Sequence, residues 1–151
     1  MSTSTLTQNT SSESVALRRL LWAAPAAMAL AVIANVAIYA IADALFGVAW
    51  EPIYNLFSVI ASTIAFLLVA ALVFAGVVRF SKRPLWLYRR IAVVALLLSF
   101  LMPVSALLGM AAPPGSGVAA APLDTFLSML VMHVVAYAIS VPLFTRLTRA
   151  G

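Results

Sequence analysis

The chain has 151 residues, of which 65% are hydrophobic and 9% charged, with a net charge of +5 and no cysteine. A mean hydropathy of +1.13 is far above that of water-soluble domains and marks an integral membrane protein. The missing cysteines exclude disulfides, thiolate metal sites, cysteine nucleophiles and thiol redox chemistry. Basic residues confined to the ends of apolar stretches argue against a nucleic-acid partner.

The first 14 residues, MSTSTLTQNTSSES, have no apolar periodicity and too little apolar surface to offset the entropy of ordering. A disordered cytoplasmic tail is expected over residues 1–17, followed by one transmembrane domain over 18–151. A helix needs about 20 apolar residues to cross roughly 30 Å of hydrocarbon, and four stretches meet that condition: 20–42, 53–78, 91–110 and 125–145. The first follows Arg18 and Arg19 and exceeds the roughly 7–15 apolar residues of a secretory signal. It is read as a retained span.

Between spans one and two, Gly47 is a natural helix stop and Pro52 a natural first helical residue. Between spans three and four, AAPPGSGVAAAP is uncharged, and Asp124 suits the N-cap that follows it. Short links make consecutive helices antiparallel neighbours, so the expected fold is all-α, with four transmembrane helices in an up-down-up-down bundle. Arg18, Arg19, Arg79, Lys82, Arg83, Arg89, Arg90, Arg146 and Arg149 all then fall at one end, which the positive-inside rule assigns to the cytoplasm together with both termini. Asp43, Glu51 and Asp124 mark the opposite end. Trp50 and Tyr54 outside, and Trp22, Trp86 and Tyr88 inside, are expected in the headgroup layers.

Polar residues inside hydrocarbon must find partners or line a cavity, which makes them the best pointers to function. Asn35, Tyr39 and Asp43 recur every fourth residue and share one face of span one. Asn55, Ser58 and Ser62 form a stripe on span two. Ser99 and Pro103 predict a kink in span three, because proline leaves the carbonyl four residues earlier without its hydrogen bond. His133, the single histidine, shares a face of span four with Tyr137 and Ser140. Asn35 lies about 12 Å from the outer end and His133 about 13.5 Å, at 1.5 Å per residue, so a hydrogen bond between them is expected to be within reach. Away from water the imidazole is read as neutral, able both to donate and to accept.

Other chemistry lacks its residues. Bis-histidine haem needs a second histidine, and proton-coupled carriers place a carboxylate or lysine near mid-membrane, where this chain has none. Zinc and di-iron sites need His and carboxylate clusters that are missing. No nucleophile, base and orienting group can be assembled, so neither enzyme activity nor a cofactor is expected.

The segments LLWAAPAAMALAVIANVAIY with Asn35 and Tyr39, VVRFSKRP, LLLSFLMP and MHVVAYAISVPLFTRL together resemble a bacterial family of small four-span membrane proteins with no assigned function. The resemblance covers roughly residues 18–149. It implies a bacterial cytoplasmic membrane and the same four-helix architecture, and carries over no activity.

Two readings follow. The preferred one is a non-catalytic structural or interaction subunit, because Ala23, Ala27 and Ala31 form a small-residue ridge suited to close helix approach, within the bundle or between copies. Its partners are the lipid bilayer and either a second copy or a larger membrane complex. The alternative is a binding or transport module for an apolar or amphipathic molecule (a lipid, quinone or pigment) held between spans one, two and four by Asn35, Tyr39, Asn55, Ser58, His133 and Tyr137. There His133 would donate to a quinone carbonyl or ligate a chlorin magnesium. A filled polar cluster favours the first reading, and an open cavity around these residues favours the second.

Overall fold

The computed structural model describes residues 15–112 and 114–149; most of the expected tail, residues 1–14, lies outside the described residues. Five α-helices follow a turn of 3-10 helix at Leu17–Arg19: α1 (Leu20–Phe46), α2 (Leu56–Phe80), α3 (Pro84–Ser99), α4 (Leu101–Leu107) and α5 (Leu123–Leu147). Taken together, α3 and α4 form the third of four segments long and apolar enough to cross a membrane.

Local chemistry explains most of these boundaries. Helix α1 ends at Gly47, which adopts a left-handed φ of 64° and returns its N–H to the Asp43 carbonyl. Glycine takes that conformation without the steric penalty a Cβ brings. Helix α2 does not begin at Pro52, as the sequence suggests, but behind an Asn55 cap. The Asn55 side chain accepts from the Ser58 N–H at 2.9 Å, and the Ser58 hydroxyl accepts from the Asn55 N–H at 3.0 Å. This reciprocal capping box satisfies two donors that no intrahelical carbonyl reaches, and it outcompetes proline, which only presets φ.

At α5, Asp124 is not the N-cap either. Pro122 holds that place, and Asp124 sits in the first turn, where its charge suits the positive end of the helix dipole. Helix α3 starts seven residues before the expected span, with Pro84 as its first residue, so Arg89 and Arg90 belong to a helix rather than to a loop. Where a kink is expected, the third span is interrupted at Phe100, and the Ser99 hydroxyl turns back to the Leu96 carbonyl at 2.7 Å.

Helix α1 packs along both α2 and α5, α3 along α2 and α5, and α4 against α5. Ala23, Ala27 and Ala31 are completely buried in α1, so the small-residue ridge is used up inside the chain. Replacing Ala27 by leucine should push α1 away from its neighbours and lower stability by about 1–3 kcal/mol. Denaturation in mixed micelles would show it, and an unchanged midpoint would mean that the ridge is not closely packed.

Two apolar clusters hold the ends of the bundle. At the end carrying the basic residues, Ala24, Ala27, Ala71, Phe74, Leu85, Tyr88, Val141 and Phe144 pack together. There the residues before α1 also meet those after α5: the Ala16 N–H donates to the Thr148 carbonyl at 2.8 Å and the Arg19 guanidinium to the Arg149 carbonyl at 2.6 Å. At the other end, Tyr39, Val48, Trp50, Tyr54, Val59, Ala106, Ala121 and Met132 form the second cluster. This corrects the expectation for three aromatic residues. Trp50, Tyr54 and Tyr88 are buried: Trp50 and Tyr54 pack beneath the links in the second cluster, and Tyr88 of α3 packs against Phe74 of α2 and Phe144 of α5. Trp50 spends its indole N–H on the Ala119 carbonyl at 3.1 Å. Trp22 and Trp86 remain about half exposed, at 52% and 51%.

Candidate functional site

Between the two clusters lies a cavity of ≈ 360 Å³, within the size range of small-molecule sites. Its walls are α2, the α3–α4 span and α5, with Asn35 of α1 behind. Ala92, Ala95, Ser99 and Ala136 face it, and side chains this small leave the gap unfilled. Phe66, Val69 and Met102 line it while themselves being more than half exposed, which puts its mouth on the lipid-facing side between α2 and the third span. The sequence reading had set this site between spans one, two and four. Span three in fact supplies a whole wall.

Four of the six candidate residues, Asn35, Ser58, His133 and Tyr137, line this one cavity. Asn55 does not, being occupied as the α2 cap, where its amide also donates to a Glu51 carboxylate oxygen at 3.0 Å and to the Pro52 carbonyl at 3.1 Å. Tyr39 sits apart in the second cluster, edge-on to Tyr54 with ring centroids 5.3 Å apart. Four-residue spacing put Tyr39 on the Asn35 face correctly, but one helical turn carries it past the end of the cavity.

The expected Asn35–His133 hydrogen bond is not formed. The Asn35 amide Nδ2 donates to Thr63 Oγ1 at 3.0 Å, and His133 Nδ1 donates to the carbonyl of Met129, four residues earlier on its own helix, at 2.6 Å. A carbonyl only accepts, so Nδ1 carries a proton and donates it there. The Nδ1 hydrogen is therefore committed within α5. Phe100, at the break in the third span, packs edge-on to the imidazole at 6.3 Å and fixes its plane.

Hydroxyls along α2 are similarly committed. Ser58 donates to Asn55 O at 2.8 Å, Ser62 to Val59 O at 3.3 Å and Thr63 to Val59 O at 2.7 Å. Such back-bonding is how serine and threonine satisfy themselves in an apolar helix. One group is left over: Asn35 is 4% exposed and its Oδ1 has no hydrogen-bond partner. Sequence reading missed Thr63, whose only signal was a lone threonine at matching depth in an apolar run.

Tyr54, in the link before α2, forms part of the outer wall and contacts the Ser128 hydroxyl at 2.9 Å. Ser128 spends its own hydrogen on the Thr125 carbonyl at 2.9 Å, so the phenol donates. Burial pushes the Tyr54 phenol above its ordinary pKa, more than the Ser128 bond pulls it down, and it stays an uncharged donor. Among the described residues no three His, Asp or Glu side chains gather as a metal site would require.

Four apolar segments long enough to cross a bilayer, packed around an apolar cavity that carries a few polar groups, define an all-helical membrane-spanning protein. The chain belongs to the DUF6069 family, a family of unknown function, whose profile matches residues 15–150. No curated protein and no solved structure matches the chain.

Proposed function

We propose that this is a non-catalytic protein of the bacterial cytoplasmic membrane that binds an apolar or amphipathic small molecule in the cavity between α2, the α3–α4 span and α5. Its helices run up-down-up-down, with both termini cytoplasmic. The observation that carries this reading is the cavity of ≈ 360 Å³, open around residues singled out for their polarity and not filled by them. A protein that used these groups only as glue would have closed the gap, because an unfilled space forfeits dispersion contacts on every side. The burial of Ala23, Ala27 and Ala31 within one chain also removes the feature that most favoured self-association.

Native mass spectrometry on protein gently extracted from its own membrane tests the reading. One bound small molecule per chain is expected, and Ala136→Trp, which fills the cavity, should abolish it. His133→Leu should weaken binding without unfolding the protein, because its one hydrogen bond stays within α5. Bare protein in every preparation, or a bound molecule indifferent to Ala136→Trp, would sink the proposal and restore the structural-subunit reading.

A further inference from the structure

We infer that the molecule held in this cavity presents a hydrogen-bond donor, a hydroxyl above all, to Asn35 Oδ1, so that the site selects membrane-soluble alcohols and phenols over molecules whose polar groups only accept. The inference rests on the binding reading above and adds the ligand's chemistry to it.

The orientation of the Asn35 amide decides the matter, and its neighbours fix it. An asparagine side chain can be turned end for end with little change in shape, so its oxygen has to be placed from the hydrogen-bond network. Thr63 Oγ1 has a single hydrogen, which goes to the Val59 carbonyl at 2.7 Å. Towards Asn35 it can therefore only accept, and the amide must offer it Nδ2, at 3.0 Å. The carbonyl end is then the free one. Asn35 lines the cavity, is 4% exposed, and its Oδ1 has no partner.

The serine and threonine hydroxyls that line the cavity on α2 have no hydrogen to spare for it. The hydroxyls of Ser58, Ser62 and Thr63 all donate to carbonyls of α2, and their oxygens present lone pairs. His133 commits its Nδ1 hydrogen to Met129 O. The polar lining contributed by α2 thus presents acceptors, set in an otherwise apolar wall. A quinone, ketone or ester entering here could accept the second Asn35 amide hydrogen but would leave Oδ1 unsatisfied. A hydroxyl satisfies Oδ1 with its hydrogen and can accept the second Asn35 amide hydrogen with its oxygen. Sites whose polar groups are left unpaired by the wrong ligand discriminate strongly.

The test uses a pair of probes that differ only in the donor: para-nonylphenol and its methyl ether, para-nonylanisole, titrated into the purified full-length protein and counted by native mass spectrometry. The phenol should bind about tenfold or more tightly than the ether, the ratio expected when a buried acceptor is left unpaired. In Asn35→Leu that preference should collapse to about twofold or less. Thr63→Val, which keeps the shape of Thr63 and frees the Asn35 amide to turn, should also reduce it, and this holds if the leucine variant fails to fold.

Competition by dioctanoylglycerol or by a decyl hydroquinone distinguishes a lipid alcohol from a quinol as the source of the hydroxyl, and either competing supports the inference. Equal binding of phenol and ether to the wild type would overturn donor selection while leaving the cavity a binding site, as it would if only a water satisfied Oδ1. Binding of neither probe, together with no co-purified molecule, would overturn the binding reading itself.

Discussion

Replacing Phe74 by alanine is expected to destabilise the protein by about 3 kcal/mol, near the lower end of the range for deleting a buried aromatic ring. Phe74 is completely buried. Its ring stands edge-on to Tyr88 at 4.8 Å and tilted against Phe144 at 6.0 Å, joining α2, α3 and α5 over Ala24 and Ala27 of α1. Part of the cost known from soluble proteins disappears here, because lipid tails are as apolar as the core and no water-transfer term is lost. What remains is the void, with its lost dispersion contacts, and two aromatic contacts worth about 0.5–1.5 kcal/mol each. Phe57→Ala is the control: Phe57 is 80% exposed and its loss should shift stability by less than about 0.5 kcal/mol. Unfolding in mixed detergent micelles would measure both. Equal effects at the two positions would mean that the cluster around Phe74 does not hold the bundle together.

Reporter fusions should give an all-or-none result for orientation. A periplasm-active reporter placed after Gly151 is expected to be silent, and the same reporter placed after Gly117, in the link between α4 and α5, to be active. The reason is the distribution of charge: all nine Lys and Arg residues lie at or near the ends of helices that, on an up-down path, share one side of the membrane, and such residues are held on the cytoplasmic side during insertion. The contacts between Arg19 and Arg149 and between Ala16 and Thr148 keep the start of α1 and the end of α5 together, as an even number of crossings requires. Activity after Gly151 would reverse the orientation proposed here. It would leave the packing untouched, since the bundle's contacts do not depend on which face meets the cytoplasm.

The four spans were legible because the bilayer imposes one requirement on every crossing segment: enough apolar residues, with the backbone satisfied internally. The helix stop at Gly47 and the break near Pro103 were legible for a similar reason, since each depends on the conformational limits of one residue. Boundaries set by competition between neighbours were not. The start of α2 went to the Asn55–Ser58 capping box over Pro52, and the start of α5 went to Pro122 over Asp124.

For the candidate site, helical periodicity put Asn35, Ser58, His133 and Tyr137 at comparable depth, and they line one cavity. Periodicity says which way a residue faces along its own helix, but not which neighbour it meets. Thr63 therefore went unnoticed as the partner of Asn35, and His133 was paired across the bundle although its proton stays on α5. Trp50, Tyr54 and Tyr88 were given to the headgroup layers because an amphipathic ring at a helix end suits both places. Only the path of the links and, for Tyr88, the packing of α2 and α5 show that these rings are covered.

By itself, then, the sequence determined that this chain has four membrane-crossing segments, how charge divides between their ends, and which few polar groups lie within them. These follow from composition and local geometry, which act residue by residue against a uniform apolar solvent. Tertiary structure alone decided that the third span forms a wall of the cavity, that the alanine ridge is buried within the chain, and that Asn35 keeps an unpaired carbonyl. Each of these depends on the register of helices packed side by side, and register is set by the sum of many weak contacts between residues far apart in the chain.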